Sequence, residues 1–251
     1  MDVSKWHIST IAPDAPELAR KYGLGLEIAE YCTAYNMDER FAQTDPVVRE
    51  KLAVTDGRTF HAPFNELFPC AIDPKARLLA RERYLQAASL AVDYGADRLV
   101  IHGGYQPQMY YPIWYIEQSA PFWRELMERM PEGMTVCLEN VFEPEPGMLL
   151  EIVKNVAHPR LGVCLDVGHI NAYSHVPALE WLEACGEYVN HFHIHNNSGD
   201  HDSHSGITEG TLDIFGIVDA AERLCPRATM ALEVLEAAPS VRALMEHYRN
   251  D

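Results

Sequence analysis

Short apolar runs and longer stretches of helical periodicity alternate along the whole chain. Trp6–Thr10, Gly25–Ala29, Arg58–Ala62, Arg98–His102, Thr135–Asn140, Leu161–Asp166, Val189–His195 and Thr229–Val234 read as buried strands. Between them, Pro13–Tyr22, Asp73–Tyr94, Ile116–Met130, Gly147–Val156, Val176–Cys185, Asp213–Leu224 and Ser240–Tyr248 read as helices, and Asn36–Arg49 as a polar connection. In Asp73–Tyr94 the expected apolar face is Leu78, Leu79, Leu85, Ala88 and Val92, with Gly95 as the stop. Strands that alternate with helices predict an α/β fold. A chain of 251 residues suits a single (β/α)8 TIM barrel over residues 1–251, with no linker or second domain.

The polar positions that interrupt this pattern fall at the ends of the strands. The third strand ends at His61 and the fourth at His102. The fifth ends at Glu139 and Asn140, and the sixth at Asp166 with His169 three residues on. The seventh carries His193 and His195, and the eighth ends at Glu233. The loop after the seventh strand adds Asp202, His204 and Glu209. In such a barrel the carboxyl ends of the strands form the active-site face, so these side chains converge on one mouth. One histidine at a strand end is more often structural than a ligand. A carboxylate flanked by apolar residues, as in TVCLEN, costs several kcal/mol to bury unless it is paired or binds a cation. Six successive strands ending in ligand-capable residues point to a divalent metal site.

Imidazole and carboxylate donors without cysteine suit Zn, Mn, Co or Fe(II). One ion would use four to six ligands. The candidates outnumber that, so two or three ions bridged by Glu139 are the alternative. Clustered ions clamp a phosphoryl group, whereas one ion polarises a sugar carbonyl while a Glu moves a proton through an enediolate.

Charge and composition narrow the partners. The formal net charge is −17, and no basic cluster stands out. This balance argues against a general nucleic-acid binder and leaves room only for a local basic rim. The six cysteines show no C-x-x-C spacing, and Cys137 and Cys164 sit in strand runs as reduced thiols. That, with no signal-peptide core at the N-terminus and no membrane-length apolar run, leads us to expect a soluble, cytoplasmic protein. The segment GGYQPQMYYPIWY after the fourth strand is dense in aromatics, namely Tyr105, Tyr110, Tyr111, Trp114 and Tyr115. It reads either as a specificity loop that stacks on a substrate or as a packed lid or homo-oligomer contact.

The motifs LENV (Leu138–Val141), GVCLDVGH (Gly162–His169), H-x-H-N-N (His193–Asn197) and D-x-H-x5-G (Asp202, His204, Gly210) resemble the xylose isomerase-like TIM barrels. That superfamily includes endonuclease IV, sugar isomerases and 3-epimerases, and inosose and hydroxypyruvate isomerases. The resemblance runs from about Phe60 to Val234. It implies a small-molecule carbohydrate substrate and one to three divalent ions, Zn or Mn. The endonuclease IV pattern implies His61, His102, Glu139, Asp166, His169, His193, Asp202, His204 and Glu233 as zinc ligands. The isomerase and epimerase pattern implies Glu139, Asp166, His193 and Glu233 around one ion, with Glu139 and Glu233 as the acid/base pair. Tyr105, Trp114, His195, Asn140 and Glu209 are then expected to bind substrate, as are His61, His102 and His204 where they are not ligands. The sequence departs from the nuclease in its acidity and its few Lys or Arg in NMDERFAQTDP. It departs from the epimerases in having NNSGD where they place an arginine after the His193 match. The expected activity is a metal-dependent isomerase or epimerase of a small sugar, sugar phosphate or polyol ketone. The alternative is an endonuclease IV-like multinuclear zinc phosphodiesterase.

Overall fold

The computed structural model describes residues 2–250. Eight parallel strands pair in sequence order and close into a barrel: β1 (Trp6–Ser9), β2 (Gly25–Ile28), β3 (Arg58–His61), β4 (Arg98–His102), β5 (Thr135–Glu139), β6 (Leu161–Asp166), β7 (Val189–Ile194) and β8 (Thr229–Leu232). The helices are α1 (Ala15–Tyr22), α2 (Ala34–Met37), α3 (Phe41–Leu52), α4 (Pro74–Asp93), α5 (Pro112–Met127), α6 (Pro146–Val156), α7 (Val167–Tyr173), α8 (Ala178–Cys185), α9 (Ile214–Leu224) and α10 (Ala237–Asn250). The expected barrel and all eight strands are present.

Successive strand residues face opposite sides of the barrel wall. Leu26, Ile28, Phe60, Leu99, Ile101, Val136, Leu138, Val163, Leu165, Phe192 and Ile194 are buried in one continuous apolar core with the helices. The alternate positions form a separate interior. There Val100, Cys137 and Cys164 make a small apolar patch below a set of buried polar side chains. All six cysteines are free thiols, and no helix among the described residues is long and apolar enough to cross a membrane.

Three expectations change. The polar connection after β2 holds α2 and α3. The pattern hid α3 because only Val48 and Leu52 of it are buried, too sparse an apolar stripe to stand out. The buried face of α4 is Ala80, Tyr84, Ala87, Ala88, Leu90 and Ala91; of the expected face Ala88 is buried and Leu85 packs against the core, whereas Leu78, Leu79 and Val92 are exposed. Four alanines make up most of this face, and Leu78 and Leu79 fall outside it. The aromatic loop after β4 is partly helical: α5 begins at Pro112 and takes up Trp114 and Tyr115.

The two ends of the chain are tied together at α1 and α10. The Asp14 carboxylate, at the start of α1, accepts from the Ala237 and Ala238 amides at 3.1 and 2.9 Å, two of the unpaired donors that open α10. Asp14→Ala is expected to lower stability by about 1 kcal/mol, the usual worth of such a cap. Urea unfolding followed by circular dichroism checks this, and an unchanged midpoint would show that water replaces the cap without loss.

Candidate metal centre

Glu139 closes β5 at the middle of the mouth, and four imidazoles surround its carboxylate. Its Oε2 lies 3.2 Å from His61 Nε2 and 3.3 Å from His102 Nε2. Its Oε1 lies 3.2 Å from His193 Nδ1 and 3.3 Å from His169 Nδ1. Strand register produces this arrangement, because His102 pairs with Glu139 across β4–β5 and Asp166 pairs with His193 across β6–β7. His193 Nδ1 also stands 3.0 Å from Glu233 Oε2 and 3.5 Å from Asp166 Oδ2. The loop after β7 brings Asp202 Oδ2 to 3.2 Å from His169 Nε2 and 3.0 Å from His204 Nε2. All nine sequence-predicted donors therefore meet in one cluster.

Most of these rings are pinned through one nitrogen. His61 Nδ1 donates to the Ala62 carbonyl at 2.8 Å, His169 Nδ1 to the Asn140 carbonyl at 2.9 Å, and His204 Nδ1 to the Glu233 carbonyl at 2.9 Å. Each bond holds the proton on Nδ1 and turns Nε2 toward the carboxylates. His204 also holds a φ of 47°, a backbone region that few residues other than glycine adopt. Asp166 has two tasks. Its Oδ1 accepts from the His169 amide at 2.7 Å, which caps α7 directly after the strand, while His195 Nε2 bonds the same carboxylate at 3.0 Å. That packing explains the glycine of the DVGH motif, since a Cβ on Gly168 would sit 1.9 Å from the His195 ring.

The electrostatics fit a cation. Burial pushes the Glu139 carboxyl upward, but His102, His193 and His169 outweigh it and hold it well below its ordinary value. Asp166 and Glu233 are held down against burial in the same way by their histidine neighbours. Burial disfavours charge on His61, His169, His193 and His204, yet facing polar and acidic groups raise all four, His204 to about 9. Only His102 is lowered, to about 4, by burial. The mouth thus demands positive charge where the carboxylates converge. Asp202 Oδ1 and His195 Nδ1 are buried with no hydrogen-bond partner among the described residues. Ligand atoms of Glu139, Asp166, His193 and Glu233 all lie within 4.8 Å of one another, and a second trio joins His195, His204 and Glu233. Oxygen and imidazole donors in this density suit a hard or borderline divalent ion.

Above the cluster opens a cavity of about 580 Å³, lined by Phe64, Phe68, Tyr105, Phe142 and Tyr173 together with His61, His102, Glu139, His169, Asp202, His204 and Glu233. Phe64 stacks on His102 at 4.3 Å. Of Tyr105, Trp114, His195, Asn140 and Glu209, only Tyr105 lines this space, whereas His61, His102 and His204 all do. Trp114 instead donates from Nε1 to the Cys70 carbonyl at 2.9 Å within the helical layer. Asn140 clamps β5 to β6 by bonding both the amide and the carbonyl of Asp166 at 2.9 and 3.0 Å. His195 lies behind Asp166, and Glu209 is exposed on the loop, where it accepts from the Gly206 amide. Tyr115 is buried against Glu143, and Tyr111 is exposed. Phe64 and Phe142, single aromatics in loops, and Tyr173, the last residue of α7, escaped the sequence reading because isolated aromatics look like ordinary packing.

The sequence matches the xylose isomerase-like TIM barrel family model over residues 17–250. A protein of Methanocaldococcus jannaschii, the uncharacterized protein MJ1311, is 28% identical over 201 residues, which is 74% of this chain and 68% of that protein. Among solved structures, the TTHB071 protein from Thermus thermophilus, soaked with zinc chloride, is 26% identical with a TM-score of 0.78, over 98% of this chain and 99% of that one. A D-psicose 3-epimerase from Clostridium cellulolyticum, solved with D-tagatose, shares the fold at 19% identity with a TM-score of 0.70, over 90% of this chain and 83% of that one.

Gly168→Ala is expected to push the His195 ring off Asp166 and to weaken zinc binding about 10-fold, the usual scale for losing a partner of a ligand. Equilibrium dialysis against zinc beside the parent protein measures this. Unchanged affinity would show that Asp166 does not depend on His195.

Proposed function

Because the chain belongs to the xylose isomerase-like TIM-barrel family, we propose that it is a divalent-metal-dependent isomerase or epimerase of a small sugar or polyol ketone. One observation carries the reading. Two carboxylates, Glu139 and Glu233, reach a cavity walled by aromatic rings, and its described lining holds no Lys or Arg. Phosphate groups are ordinarily gripped by guanidinium or ammonium groups. An uncharged polyhydroxy ketone needs instead apolar ring faces and a few hydrogen-bonding groups. The charge of −17 points the same way. The fold shared with an epimerase crystallised with a ketose is in keeping with this assignment.

Glu139, Asp166, His193 and Glu233 would hold the ion, zinc or manganese. Bound there, it supplies the positive charge that polarises a carbonyl and a neighbouring hydroxyl and so acidifies the intervening C–H. The chain's own part is proton transfer and positioning. Glu139 and Glu233 come from β5 and β8, three strands apart round the barrel, so a ketose lying across the mouth meets a carboxylate at either side. One takes the proton from the carbon beside the carbonyl, and the other returns a proton to that carbon or to its neighbour. Return to the same carbon from the opposite face epimerises, whereas return to the neighbour isomerises. Phe64, Phe142 and Tyr173 exclude water and present ring faces, and His102 and His204 hydrogen-bond hydroxyls at the rim.

A second reading, an endonuclease IV-like multinuclear zinc phosphodiesterase, is favoured by the surplus of donors. His61, His102, His169, Asp202 and His204 stand in the same cluster beyond the needs of one ion.

The test is incubation with a panel of ketoses in D2O, with deuterium uptake beside the carbonyl followed by NMR. Exchange is expected, lost on chelation and restored by zinc or manganese. Glu139→Gln and Glu233→Gln are each expected to lower it at least 100-fold, the lower end for removing a general acid or base, with the melting temperature nearly kept. No exchange from any ketose, together with cleavage of an activated phosphodiester, would replace this reading by the second.

A further inference from the structure

Beneath the mouth, the barrel interior holds a polar network centred on Glu27 of β2. Glu27 is fully buried, and its two oxygens are divided between two partner sets. Oε2 accepts from Thr59 Oγ1 at 2.9 Å and from His191 Nε2 at 3.0 Å. Oε1 lies 2.9 Å from His193 Nε2 in an ion-pair contact, and neither of these two buried atoms makes a hydrogen bond elsewhere among the described residues, so each has the other as its nearest polar neighbour. The rest of the network settles the protons. Glu27 Oε2 can only accept, so the His191 nitrogen facing it must carry a proton, and Nδ1 on the other side lies 2.6 Å from Thr229 Oγ1, which also accepts from Arg98. His191 therefore carries its proton on Nε2 and gives it to Glu27. With Oε2 filled by two donors, Oε1 is left to accept from His193 Nε2.

His193 thus differs from its neighbours. His61, His169 and His204 are pinned by backbone carbonyls through Nδ1. His193 is held through Nε2 by a side chain from a strand that supplies none of the donors in the mouth. Its Nδ1 is consequently left to face Glu139, Asp166 and Glu233, whereas in His61, His169 and His204 the nitrogen left over is Nε2, which faces Glu139 or Asp202.

We propose that Glu27 is the positioning residue of the metal centre, fixing the ring orientation and tautomer of His193 so that the Nδ1 lone pair points into the mouth; this rests on the divalent-metal reading above. A carboxylate behind a ligating imidazole both selects the tautomer and makes the ring a better donor. The strand pattern GLEI supports the role. Leu26 and Ile28 belong to the apolar core, and the one charged residue between them is turned to the barrel axis, where an unpaired carboxylate would be strongly destabilising.

The experiment uses the whole protein with zinc alone as the probe. Glu27→Gln keeps size and shape but cannot accept from both histidines, while Glu27→Ala removes both acceptors. Zinc affinity by chelator competition is expected to fall about 10-fold for Gln and up to about 100-fold for Ala. In zinc-loaded parent protein, 15N NMR of the histidines is expected to show His193 protonated on Nε2 and bare on Nδ1, and Glu27→Gln to disturb that signature. A merely structural Glu27 would lower the melting temperature and leave the affinity and tautomer of the folded variant unmoved. Folded Glu27→Gln with parental zinc affinity and an unchanged His193 signal would overturn the inference, as would a parent protein with the His193 proton on Nδ1. The parent measurement needs no variant, so it decides even if Glu27→Ala fails to fold. A parent protein that takes up no zinc would overturn the metal reading and this inference together, whereas zinc bound equally by parent and variant would overturn this inference alone.

Discussion

Everything at the barrel mouth follows from placing several carboxylates where water cannot solvate them. Glu139, Asp166 and Glu233 bring ligand atoms within 4.8 Å of one another. At that separation each like-charged pair repels by about 3 kcal/mol for an effective dielectric near 20. Burial adds several kcal/mol for each ion. Repulsion on this scale is comparable with the whole stability of a domain, so the cluster persists only with positive charge held among the oxygens. The protein meets that demand with imidazoles, four of which are biased toward the protonated form by the facing groups and each of which can offer a lone pair to a cation. Lysine or arginine would satisfy the charge permanently and block the site. Histidine leaves the mouth able to exchange protons for a cation, where lysine or arginine would fix it as a salt-bridged core.

Such a cluster also needs a scaffold that keeps its donors from collapsing onto one another. The parallel barrel supplies it through register. Paired positions on neighbouring strands fix His102 beside Glu139 and Asp166 beside His193 before any side chain adjusts. Backbone carbonyls and the Asn140 clamp then orient the rings and tie β5 to β6. The outward half of each strand is spent on the apolar core that binds the helices. This division lets the interior be polar without weakening the packing that stabilises the fold.

Period-two alternation explains both what the sequence revealed and what it concealed. Donors at strand ends were legible because a His or Glu that closes an apolar run has few structural reasons to be there. Glu27 and His191 obey the same alternation but sit inside their strands, in GLEI and VNHFHIH, where a polar residue reads as noise unless its partners are known. Their partners lie 164 residues apart in the chain, a pairing that only barrel closure reveals. The aromatic segment misled for a related reason. Pro112 opens a helix rather than ending a loop, so Trp114 turned toward the Cys70 carbonyl, and of that segment's aromatics only Tyr105 joins Phe64, Phe68, Phe142 and Tyr173 in the cavity wall. In α4 the large leucines suggested a face that alanines largely form instead.

The donor set and the wall of the cavity pull toward different chemistries, and the balance between them is electrostatic. More donors than one ion requires would suit several zinc ions, and several ions could themselves supply the charge that a phosphate seeks. A phosphodiester, however, extends beyond the metals on both sides of the scissile bond, and its flanking groups must also be held. Here those flanks would meet Phe68, Tyr105, Phe142 and Glu66, on a protein carrying a net charge of −17. Each flanking phosphate would approach an acidic surface with no arginine or lysine in the described lining to receive it. A ketose ends within the cavity and brings no such charge. On the proposed reading the surplus histidines would then fall to its hydroxyls. The same pinning that would prepare a ring to bind a metal would also prepare it to read a sugar, and on the proposed reading an aromatic and acidic wall without Lys or Arg among its described lining favours the second task for the outer rings.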